Sequence, residues 1–229
     1  MPIALITGAA KRIGKIISLN LAQNGWDLLL HYNSSKVEVE ELKKTVEKSG
    51  IKAEVLHCDF RNLGSIEHLI KQDSLDLLIN NASSFENDNI GNFFYEDITN
   101  KLKINLIAPM LLTKVFVKKS ANVPNSNIIN ILDCGIKNIP SNFISYYITK
   151  NALAHFTKIA ARNLAPTIRV NGIALGQTIK NPKQSEGNFN KAIQQSLLKK
   201  NVSEKNLIDT IYYLIQNRNL TGNIIFLEN

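Results

Sequence analysis

Short apolar runs alternate along this chain with longer stretches whose apolar residues recur every three or four positions. Ile3–Thr7 reads as a strand, and Ile13–Gln23 as a helix with Ile13, Ile16, Ile17 and Leu21 on one face. The alternation continues with a strand at Trp26–His31, a charged helix at Val37–Lys48, a strand at Ala53–His57 and a short helix at Ser65–Lys71. Leu75–Asn80 is a strand, Ile98–Ser120 is helical, and Asn127–Leu132 is a strand. Ser145–Leu164 reads as a helix with Ala152, Leu153, Phe156, Ile159 and Ala160 packed inward. Thr167–Ile173 is a strand, Lys191–Lys199 and Ser203–Gln216 are helices, and Asn223–Leu227 is the last strand. Strands that are apolar throughout, separated by helices, imply a parallel sheet covered on both faces. The expected class is α/β: a doubly wound, mostly seven-stranded parallel sheet, with ligands at the carboxyl ends of its strands.

The pattern shows no internal repeat and no linker, so residues 1–229 are expected to form a single domain. Its longest polar loop, Gln177–Asn190, is a candidate lid. Apolar residues make up 44% of the chain, enough for a sizeable core, and charged residues only 20%, too few for a disordered chain. The net charge, 27 − 19 = +8, admits a nucleic-acid partner in principle. The lysines are scattered, as in Lys43-Lys44, Lys118-Lys119 and Lys199-Lys200, and form no long basic run, so solvated helix faces account for them better. Cys58 and Cys134 cannot form a disulfide framework and suit a reducing compartment. No apolar run approaches the ~18 residues of a membrane helix. The first strand starts at once, leaving no room for a signal or transit peptide, so a cytoplasmic location is expected. His31, His57, His68 and His155 are too dispersed for a metal site, and there is no Gly-x-Ser-x-Gly elbow.

Chemistry concentrates where strands end. The first strand runs into Thr7-Gly8-Ala-Ala-Lys11-Arg12-Ile13-Gly14, a glycine-marked turn that aims backbone N–H groups at a phosphate. Arg12 replaces the usual middle glycine, and its side chain would clamp an anionic cofactor directly. The second strand ends in His31-Tyr32-Asn33-Ser34-Ser35-Lys36, with no carboxylate before Glu38. A carboxylate there would hold the ribose hydroxyls of NADH and repel a 2′-phosphate. Hydroxyl, amide and cationic groups, with Arg12 and Lys36 nearby, would accept that phosphate, so NADPH is the expected cofactor.

Asn80-Asn81-Ala82-Ser83-Ser84-Phe85 follows the fourth strand, and reads either as a polar turn or as cleft-lining groups with Phe85 as a wall for a flat heterocycle. Tyr146 and Lys150 lie four apart on one helix face, where the ammonium would lower the phenol's pKa and make it a better general acid or base. Tyr147 is one residue off that face and carries no expected chemistry. Asp133, thirteen residues before Tyr146, ends the fifth strand, and reads as a ligand group or as a capping Asp. Pro109 has no N–H and clashes with the carbonyl of Asn105, four residues earlier. A kink there would free that carbonyl to hold a water linked to Lys150. An ordinary helix break explains the proline but not the asparagine. Cys134 reads as an inert, buried thiol.

Taken together, Thr7-Gly8…Gly14, Asn80-Asn81-Ala82, Asn105, Tyr146…Lys150 and Arg169-Val-Asn-Gly172 resemble the short-chain dehydrogenase/reductase family over essentially the whole chain. The resemblance implies a Rossmann-type domain, a nicotinamide cofactor and a homotetramer. Within the family, Thr7–Gly14, His31-Tyr32, Asn80–Phe85 and Asp133 before Tyr146 resemble the pteridine reductases and the related bacterial dihydromonapterin reductases. In most of the wider family the Asp133 position is Ser. By that likeness Arg12, Ser83, Phe85, Asp133 and Tyr146 would meet a pterin. Thr7, Gly8, Arg12, Ile13, His31, Tyr32, Asn33, Ser34, Asp59, Phe60, Asn81, Ala82, Ser83, Tyr146, Lys150, Leu175, Gly176 and Thr178 would meet NADPH. Asn105, Asp133, Tyr146 and Lys150 would form the catalytic set. Two positions depart from the family: Leu175-Gly176 replaces Pro-Gly, and no Asp-Gly-Gly follows the last strand, where the chain ends Phe226-Leu-Glu-Asn229.

The exchange of Ser for Asp has a physical meaning of its own. A hydroxyl donates to a ketone oxygen, whereas an ionised carboxylate only accepts and would repel it. Asp133 therefore suits a substrate offering N–H groups, or a proton shared with Tyr146. The expected activity is NADPH-dependent reduction of a C=N bond in a dihydropterin or dihydrofolate, with the ring sandwiched between Phe85 and the nicotinamide. Two alternatives stand beside it: a carbonyl reductase such as a 3-oxoacyl carrier-protein reductase, and a non-catalytic NADPH-binding protein.

Overall fold

Seven parallel strands build the sheet in the computed structural model, which describes residues 1–182 and 184–228. They are β1 (Ile3–Ile6), β2 (Asp27–Tyr32), β3 (Ala53–His57), β4 (Leu77–Asn80), β5 (Ser126–Asp133), β6 (Ile168–Leu175) and β7 (Ile224–Leu227), in the spatial order β3-β2-β1-β4-β5-β6-β7. Central strands are buried on both faces, which is why they lack polar alternation: Ala4, Leu5 and Ile6 of β1 and Leu77, Leu78 and Ile79 of β4 are inaccessible to solvent. Helices α1 (Arg12–Gln23), α2 (Lys36–Glu47), α3 (Tyr95–Leu102), α4 (Ala108–Lys119), α5 (Ile144–Leu164), α6 (Glu186–Gln194) and α7 (Glu204–Gln216) connect the strands. Their apolar stripes complete two large cores. Ile17 and Leu21 of α1 and Leu207 and Ile211 of α7 lie in one. Leu112 and Phe116 of α4, with Ala160 and Ala161 of α5, lie in the other.

Several local expectations are corrected. The helix expected over 98–120 is two helices joined by a π-turn, Lys103–Ile107, with Ala108 N–H bonded to Lys103 O. Pro109 follows directly on this π-turn, which lets the helical run pass a residue that cannot donate. The short helix near residue 65 is a 3-10 segment, Leu63–His68. On α5 the inward positions are Leu153, Ala154, Thr157, Ala160 and Ala161, while Ile159 is 65% exposed. The polar 177–190 segment is shorter as a loop, because α6 starts at Glu186: Ser185 accepts from Asn188 N–H, and Glu186 supplies the acidic first turn. Lys183, inside that segment, lies outside the described residues.

The family-like Arg169-Val-Asn-Gly172 sequence proves to be scaffolding. The buried Arg169 guanidinium donates to the carbonyls of Leu214, Ile215 and Asn217, satisfying the carboxyl end of α7. The Asn171 side chain bonds Leu220 O and Asn223 N–H, tying β6 to the approach of β7. Among the described residues, no helix is long and apolar enough to cross a membrane.

Candidate active site

The chain's crossovers reverse direction between β1 and β4, which leaves a crevice at the carboxyl ends of these strands. A cleft of about 700 Å³ opens there. Gly8, His31, Tyr32, Asn33, Ser34, Asp59, Phe60, Ala82 and Ser83 line it, whereas Thr7, Ile13, Asn81, Leu175, Gly176 and Thr178 are not among its lining residues.

Thr7 and Asn81 hold the glycine turn against β4. Thr7 Oγ1 accepts from the N–H groups of Asn81 and Ala82, both at 2.9 Å, and Asn81 Nδ2 donates to Thr7 O at 2.8 Å. Gly8 has φ +63°. A Cβ on Gly14 would stand 2.1 Å from Gly8 O and 2.9 Å from Asn81 Nδ2, so close approach of α1 to the turn requires glycine there. Arg12 adopts φ +50°, the left-handed region, at a cost of about 1 kcal/mol. Its side chain donates from Nη2 to Ile179 O at 2.9 Å, spanning from α1 to the segment after β6. Neither Arg12 nor Lys36 lines the cleft. The cations that do are Lys11, paired with Glu38 at 2.7 Å, and Arg61, which forks onto Asp59. Arg61 was legible in principle, since it follows Asp59 by two residues on the same loop.

His31 is a strut beneath this turn. Its Nδ1 accepts from Gly8 N–H at 3.1 Å, its Nε2 faces Cys58 O at 3.0 Å, and its ring stacks on Phe60 with centroids 4.2 Å apart. Only the neutral ring with hydrogen on Nε2 satisfies both neighbours. Burial pushes its pKa down to about 4, against a smaller opposing effect from Cys58 O.

The second half of the site is built by β5, α5 and the π-turn. Asp133 ends β5 and receives Tyr146 Oη–H on Oδ2 at 3.0 Å. Burial, then the Asp133 charge, push the Tyr146 phenol well above its ordinary value. The phenol is therefore paired with a carboxylate that keeps it protonated, which corrects the expectation that Lys150 would lower its pKa. Lys150 Nζ lies 5.7 Å from the Tyr146 ring centroid and donates to Ile131 O at 2.8 Å. Burial lowers the Lys150 pKa to about 8. Tyr147, given no role from its sequence position, also reaches Asp133, at 3.3 Å from Oδ1. Helical spacing predicted one face for Tyr146 and Lys150, but the strand end lies close enough for two adjacent phenols to converge on it. Cys134 stays a protonated thiol, its pKa raised by burial to about 11.

Asn105 sits in the π-turn, with no accessible surface. Its side chain accepts from Ser84 N–H at 2.7 Å and donates to Ser84 O and Thr149 Oγ1, each at 3.0 Å. Its side chain thus fixes the segment after β4 to α5 directly. Phe85 stacks on Phe143 at 4.4 Å and meets the Tyr146 ring edge-on at 4.7 Å, and is 38% exposed. Asp88 anchors the start of α5: it pairs with buried Lys101 at 3.1 Å and accepts from the Ser145 hydroxyl and N–H.

Comparison with known proteins places this geometry. Residues 2–188 match the family described as short chain dehydrogenase. The chain is 29% identical over 225 residues to a dihydromonapterin reductase of Klebsiella pneumoniae, covering 95% of this chain and 91% of that one. It is 28% identical to a 3-oxoacyl-[acyl-carrier-protein] reductase of Synechocystis, covering 76% of this chain and 73% of that one. The solved structure of FolM alternative dihydrofolate reductase 1 from Brucella canis, complexed with NADP, superposes with a TM-score of 0.94 at 32% identity, covering 99% of this chain and 92% of that chain.

Proposed function

The chain belongs to the short chain dehydrogenase family, and within it we propose an NADPH-dependent reductase that converts a dihydropterin or dihydrofolate to its tetrahydro form. One observation carries the reading: Asp133 and Tyr146 meet at 3.0 Å beside the partly exposed Phe85 ring. A carboxylate that accepts and a phenol that donates fit a ring carrying both N–H groups and ring nitrogens. The likeness to a dihydromonapterin reductase and to a FolM dihydrofolate reductase supports the same substrate class.

The residues present fit the cofactor. No side chain caps the amino end of α1, where a pyrophosphate would be held by the first backbone N–H groups of the helix. Lys11 and Arg61 stand at the cleft wall to meet a 2′-phosphate, and no carboxylate ends β2. When bound, the reduced nicotinamide supplies hydride to the carbon of the C=N bond. Tyr146 would give its Oη proton to the ring nitrogen that hydride addition leaves as an anion, Asp133 Oδ2 would accept a ring N–H, and bulk water would reprotonate the phenolate. Lys150 holds the carboxyl end of β5 and would meet the cofactor ribose. Phe85, backed by Phe143, supports the flat ring, with Ser83 and Arg12 at its edge. Asn105 keeps Ser84, and with it Phe85, at a fixed distance from α5. The segment around 177–182, tethered by Arg12 at Ile179 O, would close over the substrate tail.

A homotetramer and a cytoplasmic location complete the proposal. Met110, Ile148 and Ile159 leave apolar surface on α4 and α5 that a neighbouring subunit would cover, and both thiols are free, as a reducing compartment allows. The rival ketone reductase places a repelling carboxylate where a carbonyl oxygen would sit. Loss of nicotinamide absorbance against a panel of dihydropterins, dihydrofolate and a ketone tests the reading. Turnover of the pterins is expected; turnover of the ketone alone would overturn it.

A further inference from the structure

We propose that Tyr147 is a positioning residue of the active site, holding the Asp133 carboxylate so that Oδ2 alone faces the substrate and Tyr146. The proposal rests on the pterin-reductase reading of the same site. Asp133 Oδ1 receives two donors, Gly135 N–H at 2.8 Å and the Tyr147 hydroxyl at 3.3 Å. Oδ2 receives Tyr146 Oη–H. Two rings on consecutive helix positions thus address the two oxygens of one carboxylate, which fixes its rotation about the Cβ–Cγ bond.

The backbone is cut to fit this arrangement. A Cβ on Gly135 would lie 2.4 Å from Tyr147 Cε1 and 2.6 Å from its hydroxyl oxygen, so any side chain there would drive the phenol off Asp133. The Tyr147 ring packs edge-on against Tyr146, with centroids 5.1 Å apart, and is 8% exposed. Burial, followed by the Asp133 charge, raises the phenol's pKa, so it donates across the working range. With a donor on each oxygen the carboxylate is held in one orientation, which keeps a lone pair of Oδ2 aimed for a ring N–H. The charged and titratable groups around it are Tyr146, Tyr147 and Lys150 of α5, Cys134 of the following turn, Arg12 across the site beside Tyr146, and Glu228 and Lys137 behind Cys134.

The test compares Tyr147→Phe with the parent, each assayed for kcat and KM on dihydromonapterin with saturating NADPH at pH 7. Loss of one donor to a charged group is expected to lower kcat about tenfold. KM and NADPH affinity should each stay within twofold, because the ring and cofactor contacts remain. Gly135→Ala should reproduce the fall in kcat by displacing the same phenol. A residue that only packs would change the melting temperature and leave kcat in place, and that result overturns the proposal. If the parent reduces no dihydropterin, the functional reading fails separately. Tyr147 is then judged by a crystal structure of Tyr147→Phe, in which the Asp133 carboxylate must adopt a second orientation; an unchanged carboxylate would refute it.

Discussion

His31 ties fold stability to the cofactor turn, and its protonation gives a quantitative prediction. The ring accepts from Gly8 N–H on one side and faces Cys58 O on the other, so a second ring proton would oppose an N–H with an N–H. The folded protein lowers the His31 pKa from 6.5 to about 4. Below pH 6.5 the unfolded chain binds a proton that the folded one refuses, so stability present at neutral pH is lost as the pH falls. At 1.36 kcal/mol per tenfold change in proton concentration, the loss is about 2 kcal/mol at pH 5 and about 3 kcal/mol at pH 4. Urea unfolding of the parent and of His31→Gln at pH 7, 5 and 4 isolates it, because every carboxylate contributes equally to both. The variant should be less stable by about 1–3 kcal/mol at pH 7, from poorer hydrogen bonding. The difference between the two proteins should then shrink by about 3 kcal/mol on going to pH 4. Curves that stay parallel across this range would refute the neutral-strut account. Since Gly8 lines the cleft, NADPH affinity of the parent should weaken only as the pH falls through about 4, where the folded ring gains its second proton.

Three further outcomes follow from the site. Tyr146→Phe should lower dihydropterin turnover by about 10²–10⁴, the usual contribution of a general acid, while NADPH binding measured by fluorescence titration stays within a few fold. Gly14→Ala should destabilise the protein by about 1–3 kcal/mol in thermal unfolding and weaken NADPH binding, because the new methyl meets the Gly8 carbonyl, which is backbone and cannot swing aside. Lys11→Ala and Arg61→Ala should each narrow the preference for NADPH over NADH, whereas Lys36→Ala should not; equal effects from all three would remove Lys11 and Arg61 from the 2′-phosphate.

The doubly wound sheet was legible because its signal is long and redundant: each central strand is apolar on both faces, and each helix carries its own stripe. Asp133, Tyr146 and Phe85 were legible as site residues because strand ends and helix spacing constrain where they project. Their pairing was not. Helix periodicity related Tyr146 to Lys150 on its own element, whereas the contact with Asp133 is set by how α5 lies across the end of β5. Tyr147 was missed for the same reason: one step off a helix face is about 100°, and a broad phenol can still reach a neighbour displaced toward it. Arg12 illustrates a third limit. Its side chain, beside Tyr146, also ties the turn to Ile179 O, a contact that no local pattern foretells. The boundary of the 177–190 loop depended on Ser185, a cap visible only once the chain's path there is known.

The pairing of carboxylate and phenol carries the account, and exchanging that carboxylate tests it most directly. The rate of NADPH oxidation by the parent and by Asp133→Ser should be measured on dihydromonapterin and on a ketone. The parent should reduce the pterin and leave the ketone nearly untouched, and the serine variant should lose pterin turnover by at least about tenfold while ketone turnover rises. A serine variant that reduces the pterin as fast as the parent would contradict the central claim.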